Sequence, residues 1–236
     1  MCGVASRRKA EQLVLDGRVS VNRSIVTDLS TRVDPASDRV AVDGKPVAEV
    51  HERVYVVLNK PKDAITTLSD ERGRRTVMSL IRSRHRIFPI GRLDRDTTGV
   101  LLLTNDGEFA HHLMHPRFEI PKTYRVTCSR SVEPRHLREL AGGVELGSRR
   151  TAQAEVGVIP GTRGKEVLVT LHEGRNRQVR RMFEGFGYDV LKLDRVAYGP
   201  ISCEGLKRGE TRNLSRREVR KLMKLAGIQE EWEEEE

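Results

Sequence analysis

The sequence predicts a protein of mixed helices and strands that is divided into a small unit and a larger one. Its 236 residues are enough for one medium-sized domain and a small one. Apolar residues recur at helical spacing in some segments and form short alternating or unbroken runs, typical of strands, in others. A polar join separates the two groups of segments, so the predicted parts are residues 1–48, residues 52–228 and an acidic tail at 229–236.

The first unit begins with a predicted helix after Ser6, whose side chain can accept a hydrogen bond from the first turn. Leu13 and Val14 lie on its apolar face, and Gly17 is placed to end it. Its first turn holds three basic residues, Arg7, Arg8 and Lys9. Basic side chains at this end oppose the helix macrodipole, so they do not stabilise the helix. Their placement suggests another role, and we expect them to contact phosphate.

The remaining elements are predicted from local patterns in chain order. Alternating segments at 19–22 and 39–42 indicate short strands. In the larger unit a strand is expected at 54–58, a basic surface loop up to Arg75, a short helix at 76–81, a buried strand at 100–103, a helix from Asp106 to His115 that Pro116 stops, a strand at 120–127 and a helix spanning 179–186.

Residues 91–99, Gly-Arg-Leu-Asp-Arg-Asp-Thr-Thr-Gly, are the most informative segment of the chain. They place the carboxylate of Asp94 beside guanidinium and hydroxyl groups on a short loop. The following run at 100–103 is apolar throughout, which predicts a strand that is covered on both faces. A loop anchored to such a rigid strand suits a catalytic group, although an Asp that caps or turns the loop fits this segment equally well when it is taken alone.

Two further segments could carry chemistry. Lys122 and Tyr124 lie two residues apart on a predicted strand, so they point the same way. A Tyr ring offers a stacking face and a hydroxyl, but Tyr124 taken alone is better explained as an ordinary half-buried strand aromatic. The second segment is 171–183, where the apolar residues from Val179 onward predict the helix that packs by its apolar face. Arg177, Arg180 and Arg181 lie around its edges, and by themselves they would form a basic solvated face.

These three segments, in this order, resemble the motifs of bacterial rRNA pseudouridine synthases of the RsuA/RluB family. Residues 3–11, Gly-Val-Ala-Ser-Arg-Arg-Lys-Ala-Glu, resemble the S4-like RNA-binding domain that often precedes those enzymes. The resemblance implies an α+β pseudouridine synthase fold built on a long mixed, mostly antiparallel sheet. It also implies that the small domain in front lacks its usual first helix.

The resemblance also implies roles for individual residues. Asp94 would be the indispensable catalytic residue, Tyr124 would pack on the target base, and Arg180 would form an ion pair with Asp94. Val179 would be an apolar wall beside the flipped base. RNA contacts are expected from Arg92, Lys122, Arg177 and Arg181, and in the first unit from Arg7, Arg8 and Lys9.

The implied reaction converts a uridine of rRNA into pseudouridine. Residues 121–126 and 174–182 resemble the large-subunit rRNA enzymes of the family more closely than the small-subunit enzyme. The glycosidic bond breaks, uracil rotates, and ring carbon 5 is joined to the ribose. No redox change or external energy is needed, so no cofactor is expected. Asp94 could attack the ribose, attack the ring or remove a ribose proton, and these alternatives stay open.

Composition agrees with a nucleic-acid partner. The net charge is +9 and the sequence pI is about 9.8, which favours a polyanion such as rRNA. The tail opposes this charge, since six Glu lie in its last seven residues, and we expect it to be disordered or to cover the basic surface. No apolar run approaches membrane-spanning length, and three scattered Cys suggest a reducing cytoplasm. A monomer is expected.

The sequence also suggests three other functions or sites. Asp94, Asp96 and Thr98 fit the Asp-x-Asp-x-Thr pattern of magnesium-dependent phosphatases, but no second acidic cluster completes that metal site. A non-catalytic rRNA-binding assembly factor would not require Asp94, Tyr124 and Arg180 together. A metal site on the helix that carries His111, His112 and His115 is disfavoured because no acid or Cys accompanies them at ligand spacing.

Overall fold

The chain divides between Arg53 and Val54, at the polar join. The computed structural model describes residues 4–47 and 52–229. Contacts separate one unit, residues 1–53, from a second, residues 54–236. The acidic tail predicted at 229–236 lies outside the described residues except for Gln229.

The first unit is a short helix with a small antiparallel sheet. The helix is α1 (Arg7–Leu15), and the side chain of Ser6 accepts a hydrogen bond from the backbone N–H of Lys9, which confirms the predicted cap. Leu13 is its buried residue. The strands are β1 (Val19–Val21), β2 (Ser24–Val26), β3 (Val40–Val42) and β4 (Lys45–Pro46), in the spatial order β2-β1-β3-β4.

The second unit is built on a sheet of nine strands. Its elements in chain order are β5 (Tyr55–Lys60), β6 (Phe88–Pro89), β7 (Thr98–Thr104), α2 (Gly107–Met114), β8 (Lys122–Cys128), α3 (Pro134–Gly142), β9 (Glu145–Leu146), β10 (Arg149–Arg150), β11 (Glu155–Val158), β12 (Glu166–Leu171), α4 (Gln178–Glu184), β13 (Val190–Tyr198), β14 (Ile201–Ser202), β15 (Thr211–Asn213) and α5 (Arg216–Leu225). Two 3-10 turns lie at Val77–Leu80 and Pro116–Phe118.

The order of strands across this sheet is β11-β12-β8-β13-β7-β5-β15, with β14 beside β13 and β6 beside β7. Among these strands only β13 and β7 pair in parallel, and the other described pairs are antiparallel. The mixed, mostly antiparallel sheet and the α+β class that the resemblance implies are therefore confirmed. The strands β9 and β10 form a separate hairpin.

Strand β7 is covered on both faces, as its unbroken apolar run predicts. Val100 and Leu102 join a core cluster with residues of α2 and α5. Leu101 and Leu103 join a second cluster, which also contains Val77, Ile87 and Leu93. Because neighbouring strand residues point to opposite faces, the two clusters lie on opposite sides of the sheet at β7. We refer to them as the helix-side cluster and the loop-side cluster.

The predicted helices are present, with small differences at their ends. Asp106 caps α2 by accepting a hydrogen bond from the backbone N–H of Phe109, and the helix ends at Met114, directly before His115 and Pro116. The helix α4 ends at Glu184, so the predicted Phe186 lies beyond it. No helix in residues 4–47 or 52–229 is long and apolar enough to span a membrane.

Candidate active site

The backbone of the loop at residues 94–97 is hydrogen-bonded by the side chain of Lys60, the last residue of β5. The Lys60 side chain is fully buried, and its Nζ donates hydrogen bonds to the backbone carbonyls of Asp94 (3.0 Å), Thr97 (2.8 Å), Arg95 (3.3 Å) and Pro61 (3.1 Å). Burial lowers the pKa of Lys60 to about 8, against the opposing effect of the Asp96 and Asp94 carboxylates. Sequence reasoning missed this residue, whose only signal was a Lys at the end of a mostly apolar strand.

The segment that follows β5 forms further hydrogen bonds to the same loop and to Leu93. The hydroxyl of Thr66 donates to the carbonyl of Leu93 at 2.8 Å and accepts from its N–H at 3.3 Å. The N–H of Asp63 donates to the carbonyl of Arg95 at 2.9 Å, and the two side chains form an ion pair at 3.1 Å. The backbone at Asp94 is therefore fixed by groups that are distant in sequence.

Beyond the loop, Gly99 allows β7 to pair closely with β13. Its φ is +104°, and a Cβ built there would lie against the backbone carbonyl of Arg195, whose carbon is 2.8 Å away. The hydroxyl of Thr98 donates to Oδ1 of Asp194 at 2.7 Å, and Nε of the buried Arg195 donates to the carbonyl of Val100 at 2.7 Å. This pairing of β7 with β13 anchors the end of the Asp94 loop.

The carboxylate of Asp94 faces Arg177, not Arg180. The side chain of Asp94 is 34% exposed, and Nη1 of Arg177 lies 3.9 Å from its Oδ2. Arg177 directly precedes α4 and has a left-handed backbone conformation, with φ of 48°. Its Nη2 also lies 3.9 Å from Glu184, so it is only loosely held.

The predicted ion pair between Arg180 and Asp94 is wrong for this structure. Nη2 of Arg180 lies 2.8 Å from Oδ2 of Asp96, and Nη1 donates to the carbonyl of Val190 at 2.9 Å. Its predicted place at the edge of the helix is also wrong, because Arg180 is buried. A guanidinium can be buried there because Asp96 neutralises it. Its Nε has no hydrogen-bond partner among the described residues.

Tyr124 lies between two parts of the core. It is half-buried on β8, opposite Arg195 of β13 and Val169 of β12. It packs against the loop-side cluster, which contains Leu93, and against a third cluster, which contains Val179. This position brings Tyr124 to the junction between the Asp94 loop and α4.

The other predicted binding residues have different surroundings. Nζ of Lys122 donates to the carbonyl of Ile120 at 2.8 Å, and burial lowers the pKa of Lys122 to about 8. Val179 is buried in the core, 3% exposed, while Arg92 is exposed. Arg181 is exposed and extends towards Gly147 of the β9–β10 hairpin. In the first unit Arg7, Arg8 and Lys9 are exposed on α1, where Arg7 pairs with Glu11 at 3.2 Å.

The three histidines of the α2 region have local contacts. Nδ1 of His112 donates a hydrogen bond to the carbonyl of Ala226, 2.9 Å away, and the ring stacks on Phe118. His115 accepts from the N–H of Arg117. Within the described ranges no group of three or more His, Cys, Asp or Glu side chains could hold a metal ion.

We expect Lys60→Met to lower the free energy of unfolding by about 2 kcal/mol, because buried carbonyls of the loop lose their donor. Lys62→Met is the matched control, since Lys62 is exposed two residues away. Urea unfolding of the two variants measures the difference. Equal stability of both variants would show that Lys60 does not support the loop.

Comparisons with known proteins give a consistent result. Residues 54–185 match the family model of RNA pseudouridylate synthase, and residues 3–40 match the S4 domain. The chain is 46% identical over 229 residues to "Ribosomal large subunit pseudouridine synthase B" of Bacillus subtilis (strain 168), covering 95% of this chain and 93% of that protein. It is 42% identical to an "Uncharacterized RNA pseudouridine synthase" of Aquifex aeolicus (strain VF5), covering 96% and 92%.

One solved structure supports the same assignment of the fold. The structure described as "Crystal structure of pseudouridylate synthase" is 30% identical, has a TM-score of 0.70, and covers 94% of this chain and 95% of that chain. The resemblance indicated by the three motifs and by residues 3–11 is therefore confirmed at the level of sequence and fold.

Proposed function

Because this chain belongs to the RNA pseudouridylate synthase family and carries an S4 domain at its N-terminus, we propose that it isomerises a uridine of large-subunit rRNA, with Asp94 as the essential catalytic residue. The name of the Bacillus subtilis relative supports the large-subunit substrate. The observation that carries the assignment of Asp94 is its loop, whose backbone is bonded by the buried groups of Lys60 and Thr66. A catalytic carboxylate needs this kind of rigid support.

The proposed reaction is balanced without a redox partner. The bond from ribose carbon 1 to uracil nitrogen 1 breaks, and a bond to uracil carbon 5 forms. Carbon 5 releases its proton and nitrogen 1 gains one, so no cofactor is required. Asp94 acts as an anion, by attack on the ribose, by attack on the ring or by removal of a ribose proton. Arg177 is the cation that faces it.

The target base has to leave its stack to reach Asp94, at a cost of a few kcal/mol. We propose that Tyr124 stacks on the extruded base, since its ring lies at the junction between the loop-side cluster and α4. Val179 would bound the base pocket, while Arg92, Lys122 and Arg181 would add RNA contacts. In the S4 domain Arg7, Arg8 and Lys9 would bind phosphates.

Arg180 has a different role from the one that the resemblance implies. Its bond to Asp96 joins α4 to the loop that carries Asp94. We propose that it orients this loop and the base pocket together, as a positioning residue. We further propose that the protein works in the cytoplasm, as its scattered cysteines suggest, and that it is a monomer.

The phosphatase alternative is not supported. It requires the carboxylates of Asp94 and Asp96 to share a magnesium ion, but Asp96 is paired with Arg180 at 2.8 Å. Membership in the synthase family also argues against it. A binding protein without catalysis remains the alternative for the experiment to exclude.

The proposed function is tested by tritium release from rRNA. The substrate is rRNA labelled with tritium at uracil carbon 5, prepared from cells that lack this protein. We expect tritium to enter water, because carbon 5 exchanges its hydrogen for the ribose, and we expect the same release when magnesium is chelated. Binding of the rRNA without release would identify an assembly factor instead.

A further inference from the structure

Residues 72–93 form an unusually basic segment next to the Asp94 loop. They contain seven arginines and no Asp or Glu. The arginines are Arg72, Arg74, Arg75, Arg82, Arg84, Arg86 and Arg92. We call this stretch the arginine segment.

The arginine segment is anchored by its apolar residues. Val77 and Ile87 are buried in the loop-side cluster, together with Leu93. The strand β6 within it pairs with β7, and the N–H of Ile65 donates to the carbonyl of Arg75 at 2.9 Å. The segment is therefore a fixed surface element, and ordering it on binding would cost little entropy.

Its charges are directed outward and mostly lack partners. Arg74 forms an ion pair with Asp70, in which Nη2 lies 2.6 Å from Oδ1, and this ion pair stabilises the turn at the start of the segment. The other six arginines are exposed and have no ion pair within residues 4–47 and 52–229. Six exposed guanidinium groups repel one another, and a surface of this kind favours a polyanion over a protein or a neutral ligand.

The position of the segment identifies where the polyanion binds. The hydroxyl of Thr66 bonds to Leu93, and Leu93 joins the last arginine of the segment to Asp94. Ile81, Ile87 and Leu93 pack in the loop-side cluster beside the Asp94 loop. Phe88 and Ile90 pack in the helix-side cluster instead. The arginines at 82, 84 and 86 therefore lie between two residues of the loop-side cluster. The helix α5, which is also basic, packs on the helix-side cluster, on the opposite side.

We propose that the arginine segment binds the phosphate backbone of the RNA strand that flanks the target uridine. This inference rests on the proposed function and adds the surface that recognises the substrate. The S4 domain then contributes affinity from a separate unit, while the arginine segment presents the nucleotide to Asp94. Contacts of this type fix the register of the RNA and carry little sequence information.

The test compares two variants that lose the same charge. One is R82Q/R84Q/R86Q in the arginine segment, and the control is R216Q/R217Q/R220Q on the exposed face of α5. Affinity for large-subunit rRNA is measured by filter binding. All variants carry Asp94→Asn as well, so that the rRNA is not converted during the measurement. We expect the first variant to bind at least about tenfold more weakly, with the slope of log affinity against log salt reduced by about 2, and the control to change by less than about twofold.

A third variant, R82K/R84K/R86K, keeps the charge and is expected to bind nearly as the parent does. Equal losses in the two Gln variants would show a general charge effect and overturn the inference. Unchanged binding in R82Q/R84Q/R86Q would overturn it as well. If the wild-type protein releases no tritium from rRNA, the proposed function fails, while the binding comparison still decides whether the segment holds RNA.

Discussion

Asp94→Asn abolishes turnover and leaves the affinity for rRNA nearly unchanged; this is the largest effect that we expect. Asn has the same shape, and the contacts that hold the loop involve backbone carbonyls of residues 94–97, not the Asp94 carboxylate. Affinity depends on phosphate contacts from many Lys and Arg side chains. A key catalytic group contributes several kcal/mol, and each 1.36 kcal/mol is about tenfold in rate, so activity below about 1% is expected.

The measurement is single-turnover tritium release at saturating rRNA, with binding followed separately. Asp189→Asn is the control, since it removes one negative charge from an exposed residue of the same domain. It should react at nearly the parent rate. Activity of Asp94→Asn above about 1% would mean that another group performs the chemistry.

Gly99→Ala has the largest expected effect on stability. Position 99 has a φ of +104°, which L side chains rarely adopt, and the new Cβ would press against the backbone carbonyl of Arg195 on the parallel strand β13. Backbone strain and overpacking each cost about 1–3 kcal/mol, so a loss of about 4 kcal/mol in the free energy of unfolding is expected. The carbonyl belongs to a central strand and cannot move aside easily.

Gly157→Ala is the matched control for this substitution. Gly157 also lies in a strand of the sheet, β11, but a Cβ there meets nothing within 4 Å. We expect its stability to stay within about 0.5 kcal/mol of the parent in urea unfolding. If the Gly99→Ala protein were as stable as Gly157→Ala, the paired strands β7 and β13 would be able to accommodate the new Cβ without a loss in the free energy of unfolding.

The sequence by itself determined the elements whose causes are local. Ser6 and Asp106 were predicted to cap helices because a side-chain oxygen reaches a backbone N–H three residues later, whatever the rest of the chain does. The unbroken run at 100–103 predicted a strand buried on both faces, since apolar side chains pointing both ways need cover on both sides. The family was predicted from three short motifs, which need no knowledge of contacts.

Only the tertiary structure decided which charged groups meet. Asp94 and Asp96 are two residues apart, and the sequence could not determine which of them Arg180 would reach. The packing of α4 against the loop placed Arg180 at Asp96 and left Asp94 to Arg177. Lys60 was missed for the same reason, because its three hydrogen-bond acceptors in the Asp94 loop lie 34 to 37 residues further along the chain. A hydrogen bond or an ion pair forms only over a few ångströms, and the folded backbone alone brings such distant groups that close.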